Sequence, residues 1–234
     1  MKKEKGFLEN EHYFTKNETV KWIGIILMVL AGLCYFFGWG FVSYIIMSIG
    51  LPLGAILCVV GSFGRSNESY IDEYTKRHID EKFEMVPEDD RHFTKRQLKR
   101  IEPMDFRGMV YRDGVMLRKG KNGTIRSSEY GRTVVYPLDT AIFVCFRKIS
   151  VVRDEHIEDA IEIPYTDIAE FKLLKESRTI SFNEKAFKVT ATELYIEYDG
   201  GKIFSMPMQD NIKTDAYIEK INEQIKKAKS NDVC

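Results

Sequence analysis

The stretch that decides the fold is WIGIILMVLAGLCYFFGWGFVSYIIMSIGLPLGAILCVVGSFG, residues 22–64. It contains no Asp, Glu, Lys, Arg or His. A helical hairpin in the core of a soluble domain normally needs some polar face, so a run this long and this apolar reads as membrane-spanning. One crossing takes about 20 apolar residues, which makes the run too long for one span and right for two. Gly38-Trp39-Gly40 is the natural break, giving spans at 20–37 and 41–63. Gly50, Pro52 and Gly54 then fall inside the second helix as a kink, which membrane helices tolerate.

The flanks agree. Trp22 opens the first span, and Tyr35, Trp39, Phe41 and Tyr44 gather at the turn, as interfacial aromatics do. Lys2, Lys3, Lys5, Lys16 and Lys21 precede the run, Arg65, Lys76 and Arg77 come after it, and the turn carries no basic residue. The positive-inside rule predicts that both termini lie in the cytoplasm; the expected location is the cytoplasmic (inner) membrane, as a multi-pass protein. A cleaved signal peptide is excluded because the apolar segment simply continues. A lipoprotein signal is excluded because Leu33 precedes Cys34 where a small residue is needed.

Working outward, residues 1–19 read as a short cytosolic tail with Phe7, Tyr13 and Phe14. Residues 65–86 read as a helix stopped by Pro87, either a stalk or a helix docked on the next domain. Arg91, Lys95, Arg96, Lys99 and Arg100 then concentrate positive charge. They make either a polybasic segment against anionic headgroups, or a solvated helix face with Leu98 and Ile101 turned inward. The expected organisation is a tail at 1–19, a transmembrane hairpin at 20–64, a juxtamembrane helical stalk at 65–103 and a β domain at 104–230.

From residue 104 the periodicity changes to short Val-, Ile-, Tyr- and Phe-rich runs between turns. Strands are expected at 107–112 and 115–119 around Asp113-Gly114, with a turn at 120–123, and at 133–138 and 141–148. The acidic 154–159 segment reads as a loop. Further strands are expected at 161–165, 168–174, 178–182 and 187–189, and a hairpin of 193–198 and 202–206 folds around Asp199-Gly200-Gly201. A helix at 213–229 closes the chain, with Ile218, Ile221, Ile225 and Ala228 in one stripe.

Many antiparallel strands followed by one amphipathic helix, the "I-P-Y-x-D-I" run at Ile163–Ile168, the hairpin from Leu194 to Phe204 and the ending Tyr217-Ile218-Glu219-Lys220-Ile221-Asn222 resemble the bacterial pleckstrin-homology-like domains. The resemblance covers about residues 104–229. It implies an α+β chain: a two-helix transmembrane hairpin, then a cytosolic PH-like antiparallel β-barrel or sandwich with a C-terminal capping helix. It also implies binding of headgroups, peptides or copies of itself. In relatives that bind phosphoinositides, basic residues of the first strand pair and its loop do so. The matching candidates are Arg107, Arg112, Arg118, Lys119, Lys121 and Arg126.

The composition restricts function further. Thirty-five basic and 35 acidic residues give zero net charge, against bulk nucleic-acid binding. Cys34, Cys58, Cys145 and Cys234 lack C-x-x-C spacing, and they suggest neither a zinc site nor a disulfide framework. No nucleophile elbow, H-E-x-x-H, Walker loop or dinucleotide turn is present, and His156 among Asp154, Glu155, Glu158 and Asp159 reads as an acidic surface loop. The expectation is a non-enzymatic, cofactor-free membrane-anchored binding or scaffold protein. Its partners would be the bilayer, anionic headgroups through Arg91, Lys95, Arg96, Lys99, Arg100, Arg118, Lys119 and Lys121, or a membrane protein. The alternative is a subunit of an oligomeric pore or secretion assembly, for which Gly24, Gly32, Ser43, Ser48, Gly50 and Gly54 would permit close packing.

Overall fold

The computed structural model describes residues 5–15, 19–37, 40–62, 67–83, 93–209 and 214–231. The chain forms two compact units, Met1–Asn67 and Glu68–Cys234.

The first unit holds α1 (Lys5–Thr15), α2 (Thr19–Phe36) and α3 (Phe41–Ser62). The break between α2 and α3 falls where the glycine cluster predicts it, although Gly38 and Trp39 lie outside the described residues. The α3 helix runs on through Pro52. Small residues on both helices let the backbones touch. A Cβ at Gly24 would stand 2.6 Å from the Gly54 carbonyl oxygen, and one at Gly54 would stand 2.6 Å from Met28 Cγ. Nearer the turn, Gly50 faces Ala31. Gly24, Gly50 and Gly54 are thus used within the hairpin, Gly32 has nothing within 4 Å, and Ser48 donates to the Tyr44 carbonyl.

The large apolar side chains point outward, with Ile26 and Val29 each 56% exposed and Phe36 87% exposed. Only 11% and 17% of the two apolar helical segments is buried. The core helices of a soluble protein would be mostly buried. By length and composition, these two helices are long and apolar enough to cross a membrane. The expected tail is largely α1, whose Phe7, Asn10, Tyr13 and Phe14 are buried.

The second unit is α+β. A four-stranded antiparallel sheet has the order β1 (Met104–Met109), β4 (Glu129–Pro137), β5 (Ala141–Ser150), β6 (His156–Pro164). A hairpin of β2 (Leu117–Lys119) and β3 (Ile125–Ser127) is inserted between its first two strands. A three-stranded sheet comes next, β7 (Ile168–Phe182), β8 (Lys185–Tyr198) and β9 (Lys202–Pro207), and then α6 (Thr214–Asn231). The main core lies between the two sheets and α6, around Phe106, Val144, Ile168, Leu194, Ile221 and Ile225. Tyr165 and Ile163 of the quoted motif are buried there, and the Tyr165 hydroxyl donates to Gln224 Oε1 at 2.6 Å, tying α6 to the sheet junction.

Several strands depart from expectation. Asp113-Gly114 does not join a hairpin: β1 pairs with β4, and β2 pairs with β3 across the Gly120–Gly123 turn. The 154–159 segment is not all loop, because β6 starts at His156 and Glu158 points its carboxylate at Arg147. The short strands expected at 168–174 and 178–182 are one strand of 15 residues, and Asn183-Glu184, both at positive φ, turn it into β8, which has 14. The β9 strand covers only Glu193–Tyr198 of β8. The remaining part of the ribbon is covered by the inserted hairpin, through a second core of Val110, Val115, Leu117, Ile180 and Val189.

The sheets do not close into a barrel by strand pairing among the described residues. They meet at one corner. There Met208 N donates to the Thr192 carbonyl and Gln209 N to the Arg107 carbonyl, so two residues after β9 stitch β8 to β1. Gly108 permits this, since a Cβ there would sit 2.5 Å from Met208 N.

Residues 68–101 are part of this unit. Of these, the described residues 68–83 and 93–101 cover the outer face of the four-stranded sheet through α4 (Glu68–Asp80), Phe83, Phe93 and α5 (Lys95–Leu98). Phe83, Phe93 and Leu98 pack on Phe143 and Cys145. With cover on both faces, β5 is buried almost throughout, and this is why its sequence is a near-continuous apolar run.

Candidate functional site

A row of arginines crosses the covered face of the four-stranded sheet. Arg107, Arg132 and Arg147 stand directly opposite one another on β1, β4 and β5, and Glu158 ends the row on β6. Like charges in such positions repel, so the row exists only because each member has its own partners. Asp105 bridges two of them: Arg132 binds it with Nε and Nη2 at 3.0 and 2.9 Å, and Arg107 Nη2 reaches it at 2.9 Å. Burial alone would raise the Asp105 pKa, but hydrogen bonds from Arg132 and Arg107 outweigh it and hold the carboxyl below its ordinary range. Arg107 also pairs with Asp80, and Arg147 pairs with Glu158. The last carbonyls of a helix have no partner within it. Here Arg147 donates to that of His78 and Arg132 to that of Ile79, and both reach carbonyls just past the helix, Arg147 those of Glu81 and Lys82 and Arg132 that of Glu81, so α4 is clamped at its C-terminal end. At the other end, Arg126 pairs with Asp72, and Glu68 accepts from the Lys121 backbone N–H at 2.8 Å.

This clamp decides the fate of the basic candidates. Arg107, Arg112 and Arg126 of the first strands are paired with Asp105 and Asp80, with Glu129, and with Asp72. Arg118 is half-buried and engaged. Lys119 and Lys121, at the turn of the β2–β3 hairpin, are exposed and have no side-chain partner among the described residues. In the other group, Arg96, Lys99 and Arg100 are exposed while Leu98 is buried and Ile101 half-buried, the arrangement of a solvated face over an apolar anchor. Its helix is only four residues long. Arg91 lies outside the described residues, as does the side chain of Lys95.

A second feature lies between α4 and the sheet corner. A cleft of about 430 Å³ is walled by α4, β1, β4, the β2–β3 loop, β8 and the 208–209 stitch. Thr75 and Tyr130 line it, 9% and 8% exposed, and neither hydroxyl has a hydrogen-bond partner among the described residues. Tyr130 lies near Arg126 and Thr75 without hydrogen-bond geometry to either, and burial pushes its pKa up to about 12. The sequence offers no signal for this cleft, because Thr75 and Tyr130 are brought together only by the docking of α4. For the arginine row one signal existed: Arg147 interrupts the most apolar strand of the domain.

Among the described residues no group of His, Cys, Asp and Glu is placed to hold a metal ion. Comparison with known proteins gives no match to a family model, a curated protein or a solved structure.

Proposed function

We propose that this chain is a membrane-anchored binding protein whose α2–α3 hairpin spans the cytoplasmic membrane with both termini inside. In this reading the second unit is a PH-like domain that meets anionic headgroups through Lys119 and Lys121. The observation that carries it is the α2–α3 pair, without charge from Trp22 onward, whose small residues face inward and whose large apolar residues face outward. Four strands, then three, then a helix packed into the core support the PH-like reading of the domain. The β2–β3 loop is held by Glu68, which follows the last residue of α3 by only six positions. A cation close to an anionic surface is worth about 1 kcal/mol.

The test uses the full chain in nanodiscs, with an environment-sensitive fluorophore on Asn122→Cys at the loop tip. Adding phosphatidylglycerol to a phosphatidylcholine disc should shift the emission to the blue. Salt should reverse the shift, and Lys119→Glu with Lys121→Glu should abolish it. Identical spectra in both lipids would remove the headgroup role. Carbonate extraction, in which the chain should stay with the membrane pellet, tests the anchor separately.

A further inference from the structure

The strand β7 leaves one long edge uncovered. Within its sheet it pairs only with β8. Along such a strand, successive residues turn their main-chain groups alternately towards the neighbour and away from it. The Phe171 carbonyl points away from β8 and accepts from Asn222 Nδ2 of α6 at 3.0 Å. Thr192 of β8, opposite Lys175, gives its carbonyl to Met208 on the far side, so Lys175 faces outward as well. Leu173, Ser177, Thr179 and Ser181 share that parity, and among the described residues no hydrogen bond reaches their outward main-chain groups. Asn222 closes the edge at one end, and the Asn183-Glu184 turn closes it at the other. The open length is therefore residues 173–181, with Ser177 at its middle, and Glu176, Ser177, Thr179 and Ser181 are exposed along it. An uncovered edge of this kind is a template for another strand.

We propose that a second copy of this chain pairs there, β7 to β7, antiparallel about a two-fold axis through Ser177. A two-fold pairing uses the whole of the open edge only when it is centred on Ser177. The same register is self-complementary in charge. Glu176 stands opposite Arg178 of the second copy, and Arg178 opposite its Glu176. Within one chain Arg178 already donates to Glu176 Oε2 from Nε and Nη2, at 3.0 and 2.8 Å. The two acids and two arginines of the pair therefore alternate in sign around a ring. On the other face Lys175 meets Thr179, and Ser177 meets its own copy. The axis can move only in steps of two residues, because outward groups must face outward groups. Centred on Lys175, the pairing would set Lys175 against itself and Arg178 against Lys172; centred on Thr179, it would set Arg178 against Ile180. The edge strand β6 of the other sheet behaves differently. Self-pairing about its middle residue, Ala160, would set Glu158 against Glu162 in both halves. Charge thus bars one edge and matches the other. Every residue used belongs to the second unit, so the pairing is independent of the membrane reading.

The experiment uses the full chain in detergent, with the four native cysteines replaced by serine. Under mild oxidation Ser177→Cys should give a disulfide-linked dimer, because residues paired in this way lie about 5.5 Å apart at Cα, within disulfide reach. Lys175→Cys and Thr179→Cys should each fail to do so, since each lies about 13 Å along the strands from its own copy. The two placed together in one chain should cross-link. Light scattering of the unoxidised protein should give two copies per particle. Ser177→Pro should give one copy with the thermal unfolding midpoint little changed, because a strand tolerates proline where its N–H faces outward from an edge. Glu176→Arg, which sets like charges opposite each other twice, should weaken the dimer by at least about tenfold and leaves the backbone untouched. The pairing is overturned by a protein that stays single at every concentration, by a dimer that survives Ser177→Pro or is indifferent to Glu176→Arg, or by cross-linking at 175 or 179 alone that matches cross-linking at 177.

Discussion

Arg132 and Arg147 face each other across β4 and β5 and donate to the same main-chain oxygen, that of Glu81, at 3.3 and 3.1 Å. Two guanidinium groups side by side would normally force a sheet apart. The C-terminal end of α4 lies over them, with the negative end of its dipole, Asp105 and Glu158 close by, and the Phe83 ring 5.2 Å from each guanidinium carbon. Repulsion between the arginines is thereby converted into a requirement for α4.

Arg147→Met tests that requirement. The side chain is 5% exposed, and its loss removes a donor from Glu158, from the His78 carbonyl of α4 and from the Glu81 and Lys82 carbonyls just past the helix. Breaking a buried pair by removing one partner costs about 3–5 kcal/mol. The expected result is a lower unfolding midpoint and fast hydrogen exchange through residues 68–83 before the sheet opens. Unchanged protection of α4 would show that the clamp does not hold the helix.

The helix pair is tested by covalent capture. Ala31 Cβ and a Cβ built at Gly50 lie 3.0 Å apart, close to disulfide range. With Cys34 and Cys58 replaced by serine, Ala31→Cys with Gly50→Cys should form a bond within one chain, seen as a monomer of altered mobility on a non-reducing gel. With Cys145 and Cys234 also replaced by serine, cross-linked dimers would place Ala31 and Gly50 between chains instead. Gly24→Leu should abolish the bond, because its side chain would drive into the α3 backbone.

Alkaline pH tests the burial of Tyr130. Its pKa rises from about 10 in the unfolded chain to about 12 in the fold, because burial disfavours the tyrosinate. The folded protein therefore keeps a proton that the unfolded chain has lost in that window. The contribution is fully present below pH 10 and disappears as the pH climbs towards 12. About 2–3 kcal/mol is involved. Tyr130→Phe should flatten the alkaline fall in unfolding free energy between those values, and an unaltered slope would mean that the ring is hydrated.

Gly108→Ala tests the corner where the sheets meet. The added methyl would collide with the backbone of Pro207 and Met208, which cannot swing aside as a side chain does. Overpacking of this kind costs about 1–3 kcal/mol. The loss should show in thermal unfolding, together with faster exchange of the Gln209 amide, which now donates to Arg107.

Much of this architecture was legible in the residues. The absence of charge from 22–64 and the glycines at 38 and 40 located two helices to within a residue or two. The stripe through Ile218, Ile221 and Ile225 located α6 and its buried face. Alternation found most β segments, but not their partners. Nothing local to Asp113-Gly114 says that β1 will ignore the next strand and pair with β4, and nothing local to Ser177 says that β7 continues. The small core of Val115, Leu117, Ile180 and Val189 decides both matters from a distance. The acid partners of the arginines were hidden in a similar way. Arg107 and Arg126 look like free cations in the sequence, and only the register and the docking of α4 reveal their acids.

The closeness of α2 and α3 bears on biogenesis. Residues 37–40 are all that separate the helices, and no charge lies among them. For a bilayer that received the hairpin from one side, the part to be carried across would be four residues without charge. With Gly24 and Gly54 already in contact, the two helices would enter as one preformed wedge, with no charged segment to thread through the hydrocarbon.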